Sequence, residues 1–286
     1  MSTEITTAFV QQYTANVLML SQQQGSLLRS SVLEEPVKGT SAFFEQIGSA
    51  EAYLRTTRHA DVQYVNMPHK RRRVTLATYE WSELIDEPDK VRMLIDPTSS
   101  YVKAAAWAMG RAMDDVIISA ARGSAWTGAT GSTEVTLPSS QKIAAGGTGL
   151  SLEKLLEAKE ILDSADVPPD IPRFFWLTPA QVSDLLNLSQ ITSADYNSVR
   201  ALVAGQVDTF LGFKFIVTNR LPKESTTRYC LAGLQTGIIL GVGENPVGNV
   251  DKIPTKGYST QVFYRMDIGA TRMEEEQVVE IACTES

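Results

Sequence analysis

Residues 53 to 122 constrain this chain more than any other stretch. A polar, basic run of strand-forming residues passes into an acidic turn and then into one long amphipathic helix. The segments 53–65 (YLRTTRHADVQYV) and 71–79 (RRRVTLATY) are rich in Thr, Val and Tyr, which predicts two strands with Asn66-Met67-Pro68-His69 between them. Such a ribbon has too little apolar face to stay folded by itself, since a free two-stranded hairpin is marginal in water. It needs another surface, and a neighbouring subunit supplies one. An arm laid on a neighbour belongs to a chain built to assemble.

The block Lys70-Arg71-Arg72-Arg73 opens the second predicted strand, and Glu80, Glu83, Asp86, Glu87 and Asp89 follow it closely. Opposite charges in adjacent blocks predict pairing between copies, with Arg71, Arg72 and Arg73 of one copy against Glu83, Asp86 or Glu87 of another. Complementarity of this kind sets register and steers encounter more than it adds affinity. The chain as a whole carries a formal charge of −7 and a pI near 5.0. A nucleic-acid reader usually presents a broad basic face to neutralise phosphates, so four basic residues on one strand point to a protein contact instead.

Asp96-Pro97 predicts a helix start, with Asp as N-cap and Pro at the first helical position. Val102, Ala105, Ala106, Met109, Met113, Val116, Ile117 and Ala120 then form one apolar face. Lys103, Arg111, Asp115 and Ser119 lie on the other side with Trp107, and Asp114-Asp115 read as a solvated pair. Gly123 supplies the stop. At 1.5 Å per residue this helix is about 37 Å long.

Residues 1–35 read as an arm. Ile5, Phe9, Tyr13, Val17 and Leu20 make a weak helical stripe, which a neighbouring subunit or its own domain must cover. Residues 123–149 are a Gly/Ser/Thr-rich loop, and Ser151 caps a second helix in which Leu152, Leu155, Leu156 and Ile161 or Leu162 face inward. Beyond Pro168, Pro169 and Pro172 the elements shorten. Arg173–Leu177 is a buried-type strand, Thr178-Pro179-Ala180-Gln181 is a capping box, and strands are predicted at 212–217, 229–232 and 237–240. Gly241-Val242-Gly243-Glu244-Asn245-Pro246 reads as a turn. A ribbon of alternating residues from Tyr258 to Ile268, and a further strand from Gln277 to Cys283, end the chain. This is an α+β pattern with residues 171–255 inserted into a discontinuous first domain.

Catalytic constellations are not found: there is no nucleophile elbow, no HExxH and no phosphate-binding loop with its Lys. The two cysteines, Cys230 and Cys283, read as small buried residues in a reducing cytoplasm, and with two His they make no metal set. His59 and His69 read as solvated side chains. No cofactor is expected. The first residues lack a basic region before an apolar core, and no run is long enough to span a bilayer.

The order of parts is distinctive: arm, polar hairpin, acidic turn, Asp-Pro-capped helix, Gly-rich loop, inserted α+β module, final β ribbon. It resembles the major capsid proteins of tailed bacteriophages with the HK97-type fold. The residues that carry the resemblance are Leu84-Ile85-Asp86 through Asp96-Pro97, the helix Thr98 to Arg122, Leu211-Gly212-Phe213-Lys214-Phe215, Gly269-Ala270-Thr271-Arg272-Met273 and Val278-Val279-Glu280-Ile281. The resemblance implies an N-terminal arm (1–40), an extended loop over an adjacent subunit (41–90), a peripheral domain (91–170 and 256–286) with spine helix 97–122, and an axial domain (171–255). It further implies a non-enzymatic virion protein that assembles into pentamers and hexamers of an icosahedral head. The head would enclose double-stranded DNA without sequence-specific contact, with a portal and no membrane. The short arm implies a separate scaffolding protein. An encapsulin-like nanocompartment is the alternative on the same fold, and a soluble oligomeric enzyme the alternative of another class.

Overall fold

The computed structural model describes residues 22–58, 61–62, 64–86, 98–165, 167–168, 170–186 and 209–285. The stripe expected at Ile5–Leu20, the helix start at Asp96-Pro97, His59 and Glu87 lie outside the described residues. In chain order the strands are β1 (Leu33–Pro36), β2 (Ser41–Ile47), β3 (His69–Thr75), β4 (Ala77–Ile85), β5 (Ala125–Thr127), β6 (Thr133–Val135), β7 (Lys142–Ile143), β8 (Arg173–Leu177), β9 (Thr209–Phe210), β10 (Phe213–Val217), β11 (Lys223–Glu224), β12 (Thr227–Leu234), β13 (Ile238–Ile253), β14 (Ser259–Arg272) and β15 (Val278–Thr284). The helices are α1 (Thr98–Arg122), α2 (Leu152–Ser164) and α3 (Pro179–Leu186).

The described residues form two compact units. The larger comprises Leu27–Ala77, Asp114–Gly243 and the chain from Ile268. Its main sheet runs in the order β7-β15-β12-β8-β10-β9, with β11 beside β12. β8 is central and its Phe174, Phe175, Trp176 and Leu177 are buried. A continuous apolar run is what a strand covered on both faces requires. Phe175 packs edge-on to Phe213 at 5.9 Å and stacks on Phe215 at 5.2 Å. A second sheet runs β2-β3-β5-β6. The smaller unit is drawn from the segments up to Ser26, Thr78–Met113 and Glu244–Asp267. Within it β4 flanks β14 and β14 flanks β13.

Two helix starts follow the sequence closely. Ser151 accepts the Lys154 N–H at 3.3 Å, and the Thr178 N–H donates to Gln181 Oε1 at 3.1 Å, the return half of a capping box. In α2 the buried residues are Lys154, Leu155, Ala158 and Leu162, whereas Leu156 faces solvent.

Four expectations are corrected. No strand forms over 53–65 among the described residues; β3 pairs instead with β2, from Ser41↔Thr75 to Ile47↔His69. The predicted second strand is broken at Leu76, so that Ala77–Ile85 joins β14 as a separate strand. The predicted turn at 241–246 lies inside the 16-residue β13. A Cβ on Gly241 would come within 2.9 Å of Val37 and Val74, so this glycine permits close packing rather than a reversal. Lastly, Asp114 is not solvated but fully buried, while Ala106 of the predicted apolar face is exposed; the buried face of α1 is Ala105, Met109, Met113, Ile117, Ile118 and Ala121.

β15, from beyond the 171–255 segment, pairs with β12 within it, from Thr227↔Thr284 to Gly233↔Val278.

Candidate functional site

The connection between β2 and β3 is the most exposed described part of the chain. Gly48 N–H donates to Pro68 O at 2.9 Å and closes the neck, leaving a loop from Ser49 to Met67. A Cβ on Gly48 would lie 2.6 Å from the Pro68 ring, so the neck is tight enough to demand glycine. In the loop Leu54 is 88% and Tyr64 93% exposed, with Val62 and Tyr53 also largely uncovered. Four large apolar side chains are thus left uncovered within one loop.

The three arginines that follow the neck separate into different roles because strand side chains alternate in direction. Arg72 points inward and is 4% exposed. Its Nε donates to Met273 O at 2.7 Å and its Nη2 reaches both Glu275 carboxylate oxygens at 2.7 Å. Arg71 and Arg73 lie on the opposite face. Arg71 pairs with Glu45 at 3.0 Å, and Arg73 sits over the Trp126 ring. Of the predicted acids, Glu83 is exposed on β4 and Asp86 accepts a hydrogen bond from Ser259; Glu87 is outside the described residues. The guanidinium of Arg72 is therefore committed to its own chain, a correction to its expected role between copies.

Glu275 holds a second guanidinium. Arg272 is fully buried at the C-terminal end of α1, donating to Ala121 O at 3.0 Å and Gly123 O at 2.8 Å, and to Val135 O at 3.1 Å. A helix leaves its last carbonyls without partners, and a cation there also meets the negative end of the dipole. Burial pulls the Arg272 pKa below its ordinary value; Glu275 opposes that shift and Arg72 adds to it.

Two further anchors were not foreseen. Asp114 accepts the Leu27 and Leu28 N–H groups at 3.1 Å each, fixing the segment that leads into β1. The same segment is tied to the core by Trp176 Nε1, which donates to Ser31 Oγ at 3.1 Å. Lys154 Nζ is buried among the carbonyls of Ala145, Thr148, Gly149 and Ala282 at 2.9–3.0 Å. Cys230 and Cys283 are both buried free thiols; hydrogen bonding between them raises Cys230 and lowers Cys283 from the usual thiol value. Among the described residues no group of three His, Cys, Asp or Glu could hold a metal ion, and no helix is long and apolar enough to cross a membrane.

The fold is that of viral shell subunits. The capsid structure of cyanophage P-SCSP1u superposes with a TM-score of 0.75 at 15% identity, covering 98% of this chain and 94% of that one. The capsid of Ralstonia phage GP4 gives 0.74 at 9% identity, over 97% and 96% of the two chains. The capsid of a native GTA particle, computed with C5 symmetry, gives 0.67 at 12% identity, over 97% and 96%. A search of curated protein sequences finds no significant match. The chain belongs to the phage capsid protein family, whose model matches residues 5–285. It is a shell protein of the virion, and the nanocompartment alternative is not favoured.

Proposed function

We propose that this chain is the major capsid protein of a tailed phage with the HK97-type arrangement. Many copies then self-assemble as pentamers and hexamers into an icosahedral head around double-stranded DNA. Assembly uses a separate scaffolding protein and a portal, and the subunit performs no catalysis. The observation that carries this reading is the pinched loop 49–67, whose Tyr53, Leu54, Val62 and Tyr64 are exposed on the isolated subunit. In the shell this loop is the extended arm covered by an adjacent subunit, α1 is the spine, and the sheet centred on β8 forms the axial part. In this reading β15, paired with β12, belongs with that sheet.

The mechanism is geometric. Each loop ties its subunit to a neighbour, and apolar burial supplies the free energy while charge sets the register. Arg71 and Arg73, rather than Arg72, remain available to the acids Glu83, Asp86 and Glu87 of another copy. The test is negative-stain electron microscopy of the full chain with its scaffolding protein, comparing wild type with Leu54→Asp/Tyr64→Asp. Closed shells from wild type and none from the variant are expected. A wild type that stays small in the presence of scaffold overturns the shell reading, and normal shells from the variant overturn the role of the loop.

A further inference from the structure

One face of the β2–β3–β5 sheet is partly open to solvent, with Gly131 of the β5–β6 turn close against Phe43 and Arg73, and is composed like an interface. The register sets Phe43 opposite Arg73 and Arg73 opposite Trp126, so one row across three strands reads Phe43–Arg73–Trp126. Glu45–Arg71 and Ile47–His69 are the next rows on that face. Phe43 is 39% exposed, Trp126 37% and Ile47 62%, whereas Arg72 and Val74 on the other face are buried. Each guanidinium is held against a ring: Arg71 lies 5.6 Å from the Phe43 centroid and Arg73 5.6 Å from that of Trp126. Aromatic residues and Arg are the groups enriched at the energetic centres of protein interfaces. Beside the face, Glu45, His69, Arg71, Thr127 and Gly128 help to line a cleft of about 540 Å³. Arg71 has Glu45 as a partner, but Arg73 has no carboxylate among the described residues, and its buried Nε has no hydrogen-bond partner.

The complementary surface lies on β4. It is an edge strand of its sheet, and its row Glu80, Ser82 and Leu84 is exposed, with Ser82 accepting a hydrogen bond from Gln261 Nε2 at 2.6 Å. Leu84 is 42% exposed. This row offers the Glu80 carboxylate beside an apolar side chain, where the sheet face offers guanidiniums beside rings and a cleft.

We infer that the Phe43–Arg73–Trp126 face docks the Glu80–Leu84 strand of a second copy, with Arg73 meeting Glu80, and Phe43, Trp126 and the cleft covering Leu84. The inference rests on the shell reading above and adds to it the two surfaces that meet.

The test is a charge swap in the full-length chain, assembled with scaffolding protein and scored by shell yield. Arg73→Glu and Glu80→Lys are each expected to lower the yield at least about tenfold, since like-charge juxtaposition costs several kcal/mol. The two changes together are expected to restore it to within about twofold. Normal shells from either change alone overturn the inference, as does failed restoration in chains that keep the wild-type melting temperature. Should a swapped chain melt early, Leu84→Lys, which alters one exposed side chain, is read the same way: normal yield overturns the docking. A wild type that forms no shells marks failure of the shell reading and is distinguished by that control.

Discussion

Replacing Glu275 with Gln tests whether one carboxylate holds two buried cations. Arg72 and Arg272 side chains are 5% and 0% exposed, and Glu275 is the acid beside both, at 2.7 Å from Arg72 Nη2 and 3.7 Å from Arg272 Nε. Removing one partner of a buried pair costs about 3–5 kcal/mol, because the other charge stays desolvated. Glu275 keeps 20% of its side chain in water, which places the cost near the lower end, about 3 kcal/mol. For a folding unit of this size that is a loss of roughly 6–12 °C in melting temperature. Scanning calorimetry of the unassembled chain measures it. The flanking Glu274 and Glu276 are exposed and provide matched controls: each Gln variant should stay within about 0.5 kcal/mol of wild type. The double variant Arg72→Met/Glu275→Gln should lose less than the sum of the single losses, by about 1–3 kcal/mol. A Glu275→Gln chain that melts within about 2 °C of wild type, at the level of its two neighbours, would refute the shared-carboxylate account.

Other outcomes follow from the same reasoning. Gly110→Ala should destabilise by about 1–3 kcal/mol despite the better helix propensity of Ala, because its Cβ would stand 2.3 Å from the backbone of Gly25; chemical denaturation reads this directly. Lys154→Met should cost about 2–4 kcal/mol and speed amide exchange across 145–149, since it strips charged donors from four carbonyls. Lys223 and Arg228 hold the Glu285 carboxyl below its ordinary pKa of 4.5. Its contribution is therefore complete above the unfolded value and lost as pH falls through the lower folded value, so Glu285→Gln should flatten the acid limb of stability against pH. Cys230 and Cys283 should resist thiol reagents in the native chain and both react in denaturant, because neither is exposed.

Periodic and punctuated elements were legible in the sequence, and elements specified by distant backbone were not. α1, β8, the capping box at Thr178, β14 and β15 announce themselves through local pattern. Residues 53–65 carry strand-forming Thr, Val and Tyr but pair with nothing in the described chain, whereas Ser41–Ile47 takes the place beside β3. β propensity measures fit to a half-buried surface, and a loop that reserves its apolar groups for another molecule can share that composition. Gly241 misled for a related reason: glycine serves both turns and close packing, and only the approach of Val37 and Val74 decides between them.

The buried polar anchors were the least legible, and their chemistry says why. Asp114 binds the N–H groups of Leu27 and Leu28, Arg272 the carbonyls of Ala121, Gly123 and Val135, and Lys154 four carbonyls. Main-chain partners have no residue identity, so no complementary letter stands elsewhere in the sequence to disclose the contact. Each anchor fixes segments far apart in the chain with a single specified side chain, and Asp114 beside Asp115 looks like a solvated pair until the 27–28 backbone is placed on it. Arg72 is the intermediate case. Its partner Glu275 is a side chain, but nothing in the run Lys70–Arg73 marks which arginine turns inward. That is set by the pairing with β2 and by Val74, its neighbour on the buried face, so the roles of the three arginines became distinguishable only once the strand partner was known.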